Sequence, residues 1–82
     1  MKRYVVVFRS RTDVFTFVDD MKNKYFKVNI VQTPKQAKVG CGLSAEIPFN
    51  SLSTAKSLIK LKKYPSFYGI FLIGDNWRKN LI

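Results

Sequence analysis

Histidine is absent from this 82-residue chain, cysteine occurs once, and Asp and Glu together number only five. Each shortage excludes a class of chemistry. Without histidine there is no Ser-His-Asp or Cys-His nucleophile pair, no imidazole-bound zinc, and no ordinary proton shuttle near neutral pH. One cysteine forms neither an internal disulfide nor a CxxC redox pair. The acids do not combine either. Asp19 and Asp20 are adjacent and leave a helix in different directions, Asp13 and Asp75 stand at a helix start and a turn, and Glu46 is alone. Gly69 to Gly74 has a suggestive spacing, but no Lys-Ser/Thr follows to make a phosphate loop. No metal site, no cofactor and no ordinary enzyme is expected.

Long apolar runs are missing too. Behind Met1-Lys2-Arg3, the stretch Tyr4 to Phe8 ends at Arg9, whereas a signal-peptide core needs roughly 7–15 apolar residues and a spanning helix ~20. The expectation is a cytoplasmic protein with no membrane role. What the chain does have is 46% apolar residues, enough for one modest core, so residues 1–82 read as a single domain. It also has 15 Lys+Arg, a formal net charge of +10.

Periodicity places the elements. Tyr4-Val5-Val6-Val7-Phe8 is β-branched and aromatic, and reads as a central strand covered on both faces. Ser10, with Asp13 three residues later, forms a short-armed capping box for a helix over approximately 11–24. Its buried stripe is Val14, Phe17, Val18, Met21 and Tyr25. Lys27 to Val31 alternates like a half-buried strand, Thr33-Pro34 breaks it, and a polar loop runs from Lys35 to Gly40. Leu43 to Phe49 is again extended, with Leu43, Ala45 and Ile47 on one face and Ser44 and Glu46 on the other. Asn50 or Ser51 caps a second helix over approximately 51–63, whose core side is Leu52, Ala55, Leu58, Ile59 and Lys62. Pro65 closes that zone, Phe67 to Ile73 is the last strand, and Gly74-Asp75-Asn76 is a turn. The order β-α-β-β-α-β predicts a ferredoxin-like α+β fold, two helices on one face of a four-stranded antiparallel sheet.

Two of the four glycines flank the one cysteine, in Gly40-Cys41-Gly42. They remove Cβ bulk beside the sulfur and permit positive φ, so backbone N–H groups can turn toward a thiolate as an anion-binding nest. Lys35 and Lys38 in the same loop add positive potential, which favours thiolate over thiol. A thiolate attacks sulfur and selenium electrophiles and carries a persulfide. The competing reading is a small buried hydrophobe, the commonest fate of a free cysteine.

Thr33-Pro34-Lys35, a short spacer, then Gly40-Cys41-Gly42-Leu43-Ser44 resembles the Thr-Pro-Arg/Lys … Cys-Gly-Leu-Ser/Ala signature of the Se/S carrier protein-like family of small proteins. The opening strand ending in Phe8 and Ser10, the helix, the Val-x-Ile-Val strand and the Thr-Pro loop follow in the family's order, over approximately residues 4–73. The resemblance implies that Cys41 holds sulfur or selenium, as a persulfide or selenopersulfide, for handover to another enzyme. Gly40 and Gly42 would shape its nest, and Pro34 with Lys35 would fix and charge the loop. The implied partner is a sulfur or selenium donor or acceptor enzyme.

The chain is more basic than that family leads one to expect. Lys56, Lys60 and Lys63 fall at i, i+4 and i+7 as one exposed stripe. That stripe is either a solvated face or a docking surface for an acidic partner protein or RNA. RNA binding would need Tyr4, Phe8, Phe67 and Phe71 on the helix-free face of the sheet, as base-stacking aromatics. Against it, the third strand reads Leu-Ser-Ala-Glu-Ile-Pro-Phe instead of the RNA-recognition signature. A homodimer through the open sheet face is the further expectation, since apolar strands leave one face that needs cover.

Overall fold

The computed structural model describes residues 3–33 and 42–73. Seven elements follow in order: strand β1 (Arg3–Phe8), helix α1 (Arg11–Lys22), strand β2 (Asn29–Gln32), strand β3 (Leu43–Pro48), a 3-10 turn (Phe49–Ser51), helix α2 (Leu52–Lys62) and strand β4 (Phe67–Ile73). The strands form one sheet in the order β2-β3-β1-β4, antiparallel at every pairing. This is the ferredoxin-like fold expected from the element order.

The core lies between the sheet and both helices. Alternation along β1 sends Tyr4, Val6 and Phe8 to the helix side, where they meet Val14, Phe17, Val18 and Met21 of α1 and Ala55 and Leu58 of α2. Phe8 is the hub. Its ring lies 5.3 Å from Phe17, 5.6 Å from Tyr64 and 5.9 Å from Phe67, all tilted or edge-on, the geometry that aromatic quadrupoles favour.

Phe67 reaches that cluster through a break in register. Val7 pairs with Gly69, but Phe8 pairs with Phe67, so β4 carries a bulge at Tyr68. Strict alternation from Gly69 would have turned Phe67 away from the helices; the extra residue rotates it inward. Tyr68 is left at the edge, stacked at 6.3 Å on Phe71 and covered by the Arg9 guanidinium at 5.6 Å.

Both helices end differently from their sequence pattern. The apolar stripe of α1 predicts a buried Tyr25, but Tyr25 is 96% exposed with φ 67°. The helix stops at Lys22 because the chain closes into a Schellman motif: Phe26 N–H donates to the Met21 carbonyl (3.3 Å) and Tyr25 N–H to the Lys22 carbonyl (2.9 Å). Tyr25 occupies the left-handed position usually given to glycine, and Phe26, next along, packs on the core. In α2 Lys62, expected on the core side, is exposed. The ammonium reaches out to Asp20, 2.9 Å away. Lys63 terminates α2 in the left-handed region (φ 48°), its N–H bonded to the Ile59 carbonyl at 3.0 Å.

The expected capping box at the start of α1 is present only in relayed form. Ser10 makes no side-chain cap. Its N–H donates to the Ser66 hydroxyl (3.0 Å), and that hydroxyl donates in turn to Asp13 Oδ2 (2.5 Å). Asp13 also accepts the Ser66 N–H at 2.8 Å. Ser66 is thus inserted between cap and acid, tying the start of β4 to the first turn of α1. At the start of α2 the Ser51 hydroxyl donates to the Pro48 carbonyl (2.8 Å), holding the 3-10 turn that leads into the helix.

Candidate functional site

The loop that carries the cysteine springs from the hairpin between β2 and β3. Its residues Pro34, Lys35, Lys38, Gly40 and Cys41 lie outside the described residues, and the site is therefore built from its base. Pairing runs up to Gln32 opposite Leu43. One step further, the Thr33 N–H donates to the Gly42 carbonyl at 2.8 Å, so the two residues that bracket 34–41 are joined by a backbone hydrogen bond. Beneath it the Thr33 and Ser44 hydroxyls share a hydrogen at 2.6 Å, with Ser44 fully buried. A buried serine hydroxyl is costly without a partner, and here Thr33 supplies one.

Gly42 has φ +78°, and a Cβ built there would meet nothing within 4 Å. The glycine is needed for its backbone conformation, not for space. A side chain in this region costs roughly 1–2 kcal/mol. The geometric need inferred for the glycines around Cys41 is thereby observed at Gly42, which is exposed. The site has a pinned base, a forced turn at Gly42, and the cysteine as the residue bonded to that turn.

The roles of Thr33 and Ser44 were not assigned from sequence, although both stand inside the Thr-Pro and Cys-Gly-Leu-Ser segments. The available signal was their placement: two hydroxyl residues, one flanking each end of the loop, on the strands that the hairpin brings side by side.

Lys56, Lys60 and Lys63 are all exposed on α2. Lys56 and Lys60 share the helical face. Lys63 is the left-handed cap, so the helical stripe ends at Lys60. Lys24 adds a cation that the stripe reading missed. It lines the groove between the end of α1 and α2, together with Ser53, Thr54, Ser57, Leu58 and Leu61.

The base-stacking surface is not formed. Tyr4, Phe8 and Phe67 face the helices; of the four aromatics only Phe71 lies on the other face, and it is 9% exposed. The inward turn follows from β1 alternation for Tyr4 and Phe8 and from the bulge for Phe67.

The one titratable cluster among the described residues with marked shifts is structural. Burial would raise the Asp20 carboxyl. Hydrogen bonds from Tyr64 (2.5 Å) and Lys62 (2.9 Å), with the charges of Lys62 and Lys24, outweigh it and hold Asp20 below its ordinary value of 3.8. Burial first, and then the bond to Asp20, push the Tyr64 phenol well above its usual range. The cluster fastens the end of α2 to α1.

Among the described residues no group of His, Cys, Asp and Glu could hold a metal ion, and no helix is long and apolar enough to cross a membrane.

No curated protein and no solved structure matches the chain. A family model does: the one described as "Putative Se/S carrier protein-like" matches residues 3–67. That span runs from the first strand to the first residue of the last, and takes in the whole Cys41 loop with its base. The chain belongs to the Putative Se/S carrier protein-like family.

Proposed function

We propose that this protein carries a sulfur or selenium atom on Cys41 and passes it to a partner enzyme. The observation that supports this most is the family match across residues 3–67, which includes the loop and both strands that hold it. The pinned base adds physical support. A carrier thiol must be presented to two different partners, and a loop closed by the Thr33–Gly42 hydrogen bond over the part-buried Thr33–Ser44 pair starts from a fixed platform.

The exchange needs no cofactor on this chain. The Cys41 thiolate attacks the outer sulfur of a donor protein's persulfide. The donor's S–S bond breaks, its thiolate leaves with the electron pair, and a new S–S bond forms on Cys41. Nothing is oxidised or reduced overall, and the selenium version follows the same balance. Lys35 and Lys38 place two positive charges in the Cys41 segment of the sequence, a composition that favours a thiolate, and Lys56, Lys60 and Lys63 attract an acidic partner face.

The test is incubation with a cysteine desulfurase, cysteine and pyridoxal phosphate, followed by intact mass. One added sulfur on the chain and none on Cys41→Ser is the expected outcome; an adduct that persists in Cys41→Ser overturns the reading. Lys56→Glu with Lys60→Glu separates docking from chemistry. It slows loading by the enzyme and removes its salt dependence, while loading by a small persulfide donor is unchanged.

A further inference from the structure

The groove between the end of α1 and α2 combines an apolar trough with charge of one sign. Two adjoining cavities, of about 310 and 330 Å³, share Lys24, Leu58 and Leu61 in their linings. Ser53, Thr54 and Ser57 complete the first. From Ser53 to Leu61 the lining positions of α2 fall at i, i+1, i+4, i+5 and i+8, one stripe along the helix. At 1.5 Å per residue that stripe is about 12 Å long. Leu58 is buried beneath it, whereas Leu61 is 80% exposed, the most exposed aliphatic side chain among the described residues.

Lys24 is exposed on the α1 side of the stripe. Lys56 and Lys60, three residues on from Ser53 and Ser57, are exposed along its outer flank. The first cavity has no carboxylate among its lining residues. In the second, Asp20 is already bonded to Tyr64 and Lys62.

Shape and charge together select the occupant. With Leu61 so exposed, the groove is too open for a small ligand, which needs most of its surface enclosed. A bilayer is met by apolar groups that protrude, whereas Leu58 lies at the bottom of a trough. RNA binding relies on stacking platforms, and the lining residues include no aromatic. A second copy brings the same +10 charge.

We propose that this groove docks an acidic amphipathic helix of a partner protein, which sets a large apolar side chain against Leu58 and Leu61 and carboxylates beside Lys24, Lys56 and Lys60. The stripe matches about two turns of such a helix. An apolar anchor in a pocket ringed by polar groups is also how protein interfaces concentrate their binding energy. The docking surface rests on the carrier reading only for the presence of an acidic partner, and needs no chemistry at Cys41.

The test uses the full chain and a synthetic helical peptide with leucines at i, i+3, i+4 and i+7 and glutamate elsewhere, with amide chemical shifts as the readout. Shifts centred on Lys24, Ser53, Ser57 and Leu61 are expected, and binding should weaken with salt. Leu61→Ser, at an exposed position, should keep its melting temperature and bind at least about fivefold more weakly, as should Lys24→Glu. A peptide with alanine for its leucines should show the same loss with the protein unaltered. Cys41→Ser should bind as the native chain does, so failed sulfur loading leaves this result standing.

A peptide that leaves the groove's amides unmoved overturns the proposal. So does equal binding by Leu61→Ser or by the alanine peptide, which reduces the contact to charge alone. Mixed RNA or anionic phospholipid vesicles that shift the same amides more strongly than the peptide overturn it as well.

Discussion

The two faces of β1 are both buried, but beside groups of different size. On the helix side, large groups interlock: Phe8 and Phe17 are fully buried and Tyr64 nearly so, in one aromatic cluster. On the other side, small groups are equally hidden: Val5, Val7 and Ser44 have no exposed surface. The helix side is filled by its own side chains, so its burial follows from residue size and spacing. The outer side is lined by small groups beside Phe71, whose ring stacks on Tyr68 next to the Arg9 guanidinium. Burial by itself does not tell the two faces apart, and substitutions do.

The largest effect is expected at the hub. Phe8→Ala should destabilise the protein by about 3–5 kcal/mol, because the three rings around it, Phe17, Tyr64 and Phe67, cannot collapse into the space it leaves. Urea denaturation checks it; a loss below about 1 kcal/mol would mean that the cluster is loose. Next come Val6→Ala and Val7→Ala, neighbours in β1 that point to opposite faces. Each should cost about 2 kcal/mol, and neither cost should depend on protein concentration. If the cost at Val7 rises with concentration while that at Val6 does not, the outer face is closed by a second copy.

The helix-side fastening is sensitive to acid. Asp20 has a folded-state pKa below its ordinary 3.8, so its contribution is present above that value and disappears as pH falls through the lower folded value. Melting temperature should drop below about pH 4 in the native protein, and the drop should shrink in Asp20→Asn. Tyr64 has the opposite sign. Its raised pKa gives a contribution present below 10.0 and lost as pH climbs toward the higher folded value.

The smallest effect is a gain. Tyr25→Gly should stabilise by up to about 1 kcal/mol, since the tyrosine sits left-handed and exposed while burying nothing. Thermal melting settles this, and a destabilised variant would show that Tyr25 makes contacts of its own.

Much of this architecture was legible because it is local. The i, i+3, i+4 spacing from Val14 to Met21 and the alternation of Leu43, Ala45 and Ile47 each state which way a side chain points. The breaks were not legible, because they arise where two elements meet. Tyr25 continues the apolar period of α1, but a Schellman closure ends the helix first. Lys62 lies on the inner side by spacing, but its charge finds Asp20 on another helix. Phe67 to Ile73 is too uniformly apolar to show that a bulge at Tyr68 rotates one ring inward. Of the site, Gly42 was readable as a conformational glycine, whereas the Thr33–Ser44 pair needed the hairpin register to bring the hydroxyls together.

By itself, the amino-acid sequence determined the element order, the covering of β1 on both faces, the inward faces of β3 and most of α1, and the family signature around the one cysteine, since each is written in short-range spacing. Only the tertiary structure decided two further things: that Ser66 relays the cap of α1 and that Asp20 locks α2. Each of these joins residues dozens of positions apart, and no periodicity records a contact that exists only after the chain has folded back on itself.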